Sequence, residues 1–483
     1  MALETSPFPN RCAAVAHAAG WALILPCFWF LDRLIAVCKL TTLERRQEDT
    51  CYLYPLKAFF GSIAFFVLFV VTAPVALLGF LLWAPLQACR RPFCYHRETV
   101  SLQSETHRGL ELEGKGSFVF ASANLCLLPD SLARFNNLGH TQRRASAIGE
   151  YIAQGVGRPN IRIFIDSPSS CGTLSPSNSI LPAASASTYG ATDRQGSLPN
   201  SNSDMVYGLS EDTKEPSASI QHNSNQNSNQ QGRTGNRSAP RALLSQGLGQ
   251  LGDVPWEVST MFPANVDILC LEEVFDKRAA QKLTCALSPL FAHILYDIGG
   301  YACQPPCSCS SFKFFNSGLF LASRFPIVAA QYHCFPNSRG EDALAAKGLL
   351  SAKVLMGKNQ KERKLSGYFN CIHLHAPEGT LLEQPTLYDD DVNTPENLQR
   401  TLENDMLRKH YICPPVPATG SPLVYPETDQ PWIGRRIDYI LYREKSISKH
   451  CQTEVEEVSF ITQLAGLTDH IPVGLRLNVR MDS

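Results

Sequence analysis

A small set of polar residues suited to catalysis follows apolar runs along the chain: Asn124, Glu273, His373, Asp438 and the adjacent pair Asp469 and His470. A short apolar run bounded by charges is typical of a buried strand, and α/β folds place their chemistry at strand ends. A carboxylate and an amide oxygen can bind Mg²⁺. A histidine oriented by a buried carboxylate can take a proton from water, and a second histidine can donate to a phosphoryl oxygen. The combination predicts metal-assisted hydrolysis of a phosphate ester.

Each of these residues also has an ordinary structural interpretation. Asn124 could be a turn residue, and His373 could be a satisfied core histidine, the commoner case. Asp438 could pair with the neighbouring Arg435 or Arg436, and His470 could be a loop residue before a proline. Residues 268–277, ILCLEEVFDK, carry the strongest single pattern, yet many strands end in a glutamate that only caps the next helix.

Length and composition limit the classes of protein. A chain of 483 residues suggests two or three regions. The net charge of −1 and the lack of a basic strip give no indication of a nucleic-acid partner. The 17 cysteines form neither an even framework nor CxxC pairs at zinc spacing, which favours a reducing compartment.

The N-terminal region, residues 1–100, contains two apolar stretches at about 13–31 and 58–89, each long enough to span a bilayer. Basic residues flank every side of them, and the positive-inside rule therefore places all three flanks in the cytosol. Two re-entrant or in-plane segments satisfy that rule, and Pro26 and Pro74 could turn each stretch back on itself. The basic flanks also suit anionic inner-leaflet lipids.

Several cysteines are candidates for S-acylation, although unmodified thiols fit the sequence equally well. Those beside the apolar stretches are Cys38, Cys51, Cys89 and Cys94. A loop cluster adds Cys303, Cys307 and Cys309, for which a zinc site lacks a fourth ligand at proper spacing.

The remainder of the chain predicts one globular domain interrupted by an insertion. Residues 117–167 indicate a strand ending at Asn124, a helix and a second strand at 160–168. Residues 168–252 are rich in Ser, Asn, Gln, Gly and Pro, which predicts a disordered insertion. Residues 253–483 complete the domain, and the order of strands and helices predicts two packed sheets with helices outside.

Six segments resemble the motifs of the DNase I-like exonuclease–endonuclease–phosphatase superfamily: ASANLCLLPD, LEEVFDK, NSGLFLASRFPI, HLHAP, RRIDYIL and GLTDHIPV. Within that superfamily the chain resembles the neutral sphingomyelinases over nearly its whole length outside 168–252. The resemblance implies an α/β (α+β) two-sheet sandwich flanked by helices, following a membrane-associated helical region. It also implies hydrolysis of sphingomyelin to ceramide and phosphocholine at the cytosolic face of the Golgi and plasma membrane, with anionic phospholipids as partners and no nucleic acid.

The resemblance assigns roles residue by residue. Glu273 and Asn124 would bind Mg²⁺, for which Mn²⁺ could substitute. His470 would be the general base that activates water, Asp438 would orient it, and Asp469 would lie beside metal and base.

The other family positions are less central. His373 would stabilise charge on the phosphoryl group, and Asn316 would lie at the rim of the substrate site. Asp342 and Lys347 resemble a regulatory pair whose i,i+5 spacing does not place them face to face on a helix, so a loop must bring them together.

One family motif is absent from this chain. The family carries a strand ending in Gly-Asp-x-Asn between the HLHAP and RIDY strands, but here Glu378 is joined directly to GTLLEQPTLYDDDV. Asp391 and Asn393 follow no apolar strand, so we interpret them as a coincidental match. One central strand unit is therefore predicted to be missing, with an Asp and an Asn that contact phosphate and water in the family. Two hypotheses remain: an active or impaired sphingomyelinase, and a catalytically inactive membrane-bound isoform. A phosphatase or nuclease on the same fold is disfavoured by the membrane stretches.

Overall fold

The structure is a computed structural model. It describes residues 3–48, 53–98, 116–158, 256–301, 312–335, 343–358, 364–372, 387–404, 406–407, 411, 438, 440 and 451–481. The strand predicted at 160–168 and the insertion at 168–252 lie outside these ranges, and so do the following candidate residues: Cys51, Cys303, Cys307, Cys309, Asp342 and His373.

The two apolar stretches form long, continuous helices. These are α1 (Arg11–Cys38) and α3 (Tyr54–Leu86), joined through the short α2 (Thr42–Glu48). They run antiparallel and approach most closely at two glycines, where a Cβ on Gly79 would lie 2.7 Å from the carbonyl oxygen of Gly20. We refer to α1, α2 and α3 together as the helical hairpin.

The prediction that Pro26 and Pro74 turn each stretch back on itself was wrong. Both prolines lie inside uninterrupted helices, and the turn comes between the two stretches. An apolar segment that has no water to satisfy its backbone favours continued helix, and a single proline removes only one hydrogen bond from it.

Eight strands form the larger of two sheets, in the order β1-β5-β6-β4-β2-β11-β10-β3. Neighbours are antiparallel except for the parallel pairs β2–β4 and β3–β10. The strands are β1 (Cys94–Arg97), β2 (Ser117–Asn124), β3 (Trp256–Ser259), β4 (Ile268–Glu272), β5 (His293–Tyr296), β6 (Phe320–Ser323), β10 (Cys451–Ile461) and β11 (Val473–Met481).

The smaller sheet is an antiparallel meander of β7 (Ile327–Cys334), β8 (Gly348–Lys358) and β9 (Lys364–Ile372). The remaining helices are α4 (Asp130–Ala133), α5 (Thr141–Val156), α6 (Lys277–Leu287) and α7 (Pro395–Glu403). Single-turn 3₁₀ helices occur at Gln87–Cys89 and Arg134–Asn136.

Both faces of the large sheet are covered at its centre. Because side chains alternate along a strand, Val119 and Ala121 of β2 face α5 and α6, where they share a core with Ile148 and Leu283. Phe118 faces the other way, into a second core that consists of Ile268 and Leu321 from the large sheet and Leu350 and Val354 from the small one. The predicted two-sheet sandwich with helices outside is confirmed.

The helical hairpin contacts the globular domain at both of its ends. Beyond α3, the buried Arg90 pairs with Asp297 at 2.5 Å and stacks on the Tyr301 ring at 4.7 Å. Beyond α1, the Thr42 backbone donates to Asn137 at 2.7 Å, and Glu44 forms an ion pair with Arg134. Helix α1 has 28 residues and is therefore about 42 Å long, so the two contacts lie far apart.

Of the RRIDYIL segment the structure describes only Asp438 and Ile440. Neither residue lies in a strand, and no described strand pairs with either of them. Within the described residues the small sheet ends at β9, immediately before the HLHAP histidines.

Candidate active site

Strand register brings the predicted residues to one edge of the large sheet. In the parallel pair β2–β4, Asn124 lies opposite Glu272, and Glu273 follows directly. In the antiparallel pair β2–β11, Val473 lies opposite Ser122, so Asp469 and His470 arrive at the same edge from the other direction. The Thr468 hydroxyl joins the two segments directly, since it donates to the backbone oxygen of Asn124 at 2.7 Å.

The backbone at this edge adopts left-handed conformations at residues other than glycine. Cys126 has a φ of 46° and Glu273 a φ of 58°. Such conformations cost energy for residues with a Cβ, and they persist where the surroundings fix them, often at functional sites. Here the fixing contacts are backbone hydrogen bonds of 3.0 Å and 2.9 Å from Leu125 and Leu127 to the oxygens of Glu272 and Glu273.

Glu273 is a partly buried carboxylate with a neutral amide beside it. Burial raises its pKa, and the charge of Asp469 raises it further, while His470, a hydrogen bond with Asn124 and the charge of Lys347 oppose these effects. The Asn124 oxygen accepts from the Cys126 backbone at 3.1 Å, which turns its NH₂ group towards Glu273. Glu273 is thus the principal candidate ligand, and Asn124 both holds it and keeps one oxygen lone pair for a cation.

His470 and Asp438 form the expected pair. Nδ1 of His470 lies 3.0 Å from both Asp438 oxygens, so it donates to that carboxylate and leaves Nε2 as the basic nitrogen. Burial lowers the pKa of His470, but the charge and hydrogen bond of Asp438, with Asp469 and Glu273, outweigh burial and raise the pKa to about 10.

Asp469 offers an oxygen that fits a cation. Its Oδ2 accepts from Asn136 at 3.3 Å, whereas Oδ1 is buried and has no hydrogen-bond partner in the described part of the chain. A buried carboxylate oxygen of this kind is costly unless an ion or water satisfies it. Among the described residues no three His, Cys, Asp or Glu side chains converge as a complete metal centre. One carboxylate ligand completed by water and substrate oxygens is nevertheless a normal arrangement for Mg²⁺, so the residues present fit the ion.

Glu272 and Asn136 belong to this site, and the sequence analysis did not identify them. Glu272 accepts from Ser122 at 3.3 Å, and burial together with the charge of Asp438 raises its pKa to about 7. The paired carboxylates of LEE were a signal for Glu272, whereas no pattern in the sequence distinguished Asn136.

The structure describes two of the less central predicted residues. Asn316 is only 1% exposed, donates to Asp297 at 3.3 Å and accepts from the Gly318 backbone at 3.0 Å. Asn316 therefore holds the loop at Gly318, whose backbone oxygen accepts a hydrogen bond from the backbone of Val274, the residue after Glu273. Lys347 is buried before β8, close enough to act electrostatically on Glu273.

Comparisons with known proteins identify several relatives of this chain. Residues 12–89 match the family model "Neutral sphingomyelinase N-terminal transmembrane region". The chain is 54% identical to sphingomyelin phosphodiesterase 5 of Danio rerio, over 100% of this chain and 99% of that protein. It is 34% identical to sphingomyelin phosphodiesterase 3 of Homo sapiens, over 99% of each chain. Among solved structures, sphingomyelinase C from Streptomyces griseocarneus covers 44% of this chain and 86% of its own at 15% identity, with a TM-score of 0.26.

A two-sheet α/β sandwich with an apolar helical hairpin and a carboxylate–imidazole pair at one sheet edge suits a membrane-associated hydrolase. Two relatives at 54% and 34% identity, each covered almost completely, specify the class further: the chain belongs to the sphingomyelin phosphodiesterase family.

Proposed function

We propose that this chain is a Mg²⁺-dependent phosphodiesterase that hydrolyses sphingomyelin to ceramide and phosphocholine at the cytosolic membrane surface. The observation that carries the proposal is the meeting of the Asp438–His470 pair with Glu273 and Asp469 at one sheet edge, in a chain of this family. Mn²⁺ has the ligand preferences to replace Mg²⁺.

The reaction divides into tasks that named side chains can perform. Nε2 of His470 takes a proton from water, and the water oxygen attacks phosphorus as the bond to the ceramide oxygen breaks. Asp438 holds the imidazole through Nδ1 and stabilises the imidazolium, which returns the proton to the leaving oxygen. Bound at Glu273 and Asn124, Mg²⁺ would supply positive charge to the phosphoryl oxygens. His373 would add a further donor there.

A general base must be neutral to accept a proton, whereas the pKa of His470 stands near 10 because of the surrounding carboxylates. A cation held beside Glu273 and Asp469 would offset these carboxylates and lower the pKa of His470. Proton abstraction by His470 would then depend on cation binding.

The membrane arrangement we propose is in-plane rather than spanning. A bilayer's hydrocarbon core is about 30 Å thick, so a helix that crossed it would carry its two ends to opposite sides. One domain that contacts the hairpin at Arg90 and at Thr42 cannot lie on both sides. The exposed apolar side chains of α3 would enter one leaflet. They include Phe59, Phe60, Phe66, Val71, Leu78 and Leu81. The basic flanks favour the anionic cytosolic leaflet of the Golgi and plasma membrane.

Accessible thiols near this interface support S-acylation as part of the anchoring. Cys38 and Cys89 are exposed at the ends of the hairpin helices. Cys94 is buried in β1, and we therefore leave it out of the proposed S-acylation sites, because an acyl transferase needs an accessible thiol.

An inactive isoform is the alternative, and one observation favours it. The Gly-Asp-x-Asn strand is absent, and the alignment with the Danio rerio relative extends over 563 positions whereas this chain has 483 residues. The relative therefore contains segments that this chain lacks.

Turnover of sphingomyelin in anionic vesicles, with and without Mg²⁺, tests the proposal. We expect Mg²⁺-dependent release of phosphocholine, lost in His470→Gln. The matched control is His333→Gln, since His333 is an exposed strand residue of the small sheet. Equal turnover by His470→Gln and the unaltered chain would contradict the proposed base.

A further inference from the structure

Arg144 is a buried arginine that the catalytic chemistry does not use. It lies in the first turn of α5 and is 6% exposed. In the described part of the chain no carboxylate forms a salt bridge with it, although burying a guanidinium is expensive unless all its donors are satisfied. Such a residue requires a structural reason for its position.

Backbone carbonyl groups satisfy each of its three nitrogens. Nε donates to Gly139 at 3.1 Å, and Nη2 donates to Cys126 at 2.7 Å. Nη1 donates to two oxygens, Leu125 at 3.1 Å and Leu467 at 2.8 Å. One rigid planar group thus makes four charge-assisted hydrogen bonds.

The acceptors belong to three separate segments of the candidate site. Leu125 and Cys126 directly follow Asn124, the partner of Glu273. Leu467 lies just before Asp469 and His470. Gly139 ends the turn that carries Asn136, the donor to Asp469. The guanidinium therefore joins the cation-binding side of the site to the proton-accepting side.

We propose that Arg144 is a positioning residue, which fixes the loop after β2 relative to the loop before β11. Only arginine has five N–H donors in a planar fork, so lysine or glutamine leaves carbonyl groups unsatisfied and lets the two loops separate. A misplacement near 1 Å can cost about 10²-fold in rate, and loss of an outer-shell partner commonly costs about 10–100-fold in metal affinity.

The variants Arg144→Gln and Arg144→Lys test this role in the full chain, with Arg143→Gln as the matched control. Arg143 is the preceding residue and is exposed. The first measurement is hydrogen exchange in peptides covering 125–127 and 464–470, compared with peptides from β5 and β6. We expect faster exchange in both loops with the strands unchanged, and no effect in Arg143→Gln.

The second measurement is the affinity for Mn²⁺, followed by electron paramagnetic resonance, alongside turnover of sphingomyelin. We expect the dissociation constant for Mn²⁺ to rise about tenfold or more in both Arg144 variants, and kcat to fall by about 10²-fold with KM nearly unchanged. Only this arm rests on the proposed function. If the unaltered chain neither binds Mn²⁺ nor turns over sphingomyelin, the proposed function fails, and the exchange arm still decides the role of Arg144.

Two outcomes would overturn the inference. One is loop exchange and Mn²⁺ affinity in Arg144→Gln that match those of Arg143→Gln. The other is uniformly faster exchange throughout both sheets in Arg144→Gln and Arg144→Lys alike, which would make Arg144 a residue of general stability.

Discussion

At the scale of single residues, the Asp438–His470 pair should contribute stability in a defined pH range. The pKa of His470 is raised from 6.5 to about 10 in the folded chain. A raised folded pKa contributes stability that is complete below about pH 6.5 and is lost as pH rises to about 10.

Asp438→Asn should therefore destabilise the protein most at low pH. Removing one partner of a mostly buried ion pair commonly costs about 3–5 kcal/mol. We therefore expect the free energy of unfolding to fall by about 3 kcal/mol at about pH 6. The loss should shrink towards zero near pH 10. Urea unfolding of the variant and the unaltered chain at several pH values measures it, and a difference that grows with pH would contradict the pairing.

The pKa of His470 should also respond to cations. Asp438, Asp469 and Glu273 raise it in the metal-free chain, and a divalent cation beside two of these carboxylates opposes that effect. NMR titration of the imidazole should show a lower pKa with Mg²⁺ than without it. His333 is the internal control, and a His470 pKa that is unmoved by saturating Mg²⁺ would separate the base from the proposed cation site.

At the scale of secondary structure elements, β4 is followed directly by Glu273, a carboxylate whose charged form the fold disfavours. Burial and Asp469 raise the pKa of Glu273, so the folded state disfavours its charge, and stability falls as pH rises above the ordinary value of 4.5. Glu273→Gln should stabilise the metal-free protein at neutral pH by roughly 1 kcal/mol, with no gain at about pH 4.

The same variant should lose Mg²⁺-dependent turnover. Thermal unfolding without metal and turnover with Mg²⁺ test the two effects together, with Glu150→Gln on the exposed face of α5 as control. Full activity in Glu273→Gln would remove Glu273 from the cation site.

The elements themselves could largely be predicted, since their signals are local. The apolar run of residues 117–124 ends at Asn124 both in the prediction and in β2. The hydrogen bonds of Arg144 could not be predicted, because its acceptors are backbone oxygens that carry no residue-specific signal. The left-handed backbone conformation at Glu273 could not be predicted either, because glycine is the residue that normally indicates such a conformation.

The strand expected around Asp438 shows the limit of local patterns. RRIDYIL has the composition of a strand, but pairing is decided by distant segments, and neither Asp438 nor Ile440, the two residues of this segment that the structure describes, lies in a strand. The contact of Asp438 with His470 nevertheless agrees with the role that the family resemblance implied.

At the scale of the whole molecule, the in-plane hairpin predicts that both ends of α1 share one side of the membrane. Cys12 and Cys38 are exposed near the two ends of this helix. In single-cysteine variants, we expect an impermeant maleimide to label neither residue in intact cells and both after permeabilisation of the plasma membrane. Labelling of Cys38 alone in intact cells would indicate a spanning helix.

The absence of the Gly-Asp-x-Asn unit should limit the activity of this chain. Asn124, Glu273, Asp438 and His470 remain together, so the residues that we propose for water activation and for one cation site are present. Phosphoryl transfer nevertheless depends almost wholly on positioning and charge stabilisation, and loss of one donor to a developing oxyanion commonly costs about 10²–10³-fold in rate. The family resemblance implies two contacts of that kind in the unit, and both would be lost with it, together with the strand that would carry them.

We therefore expect the chain as it stands to hydrolyse sphingomyelin at least about 10²-fold more slowly than a version with the unit inserted between Glu378 and Gly379. Both proteins should be assayed on anionic vesicles with Mg²⁺, and their Mn²⁺ affinities compared. Similar affinities with unequal turnover would assign the deficit to phosphate contacts rather than to the cation site. Equal turnover would mean that Asp391 and Asn393 replace the missing pair, and Asp391→Ala with Asn393→Ala would then abolish activity.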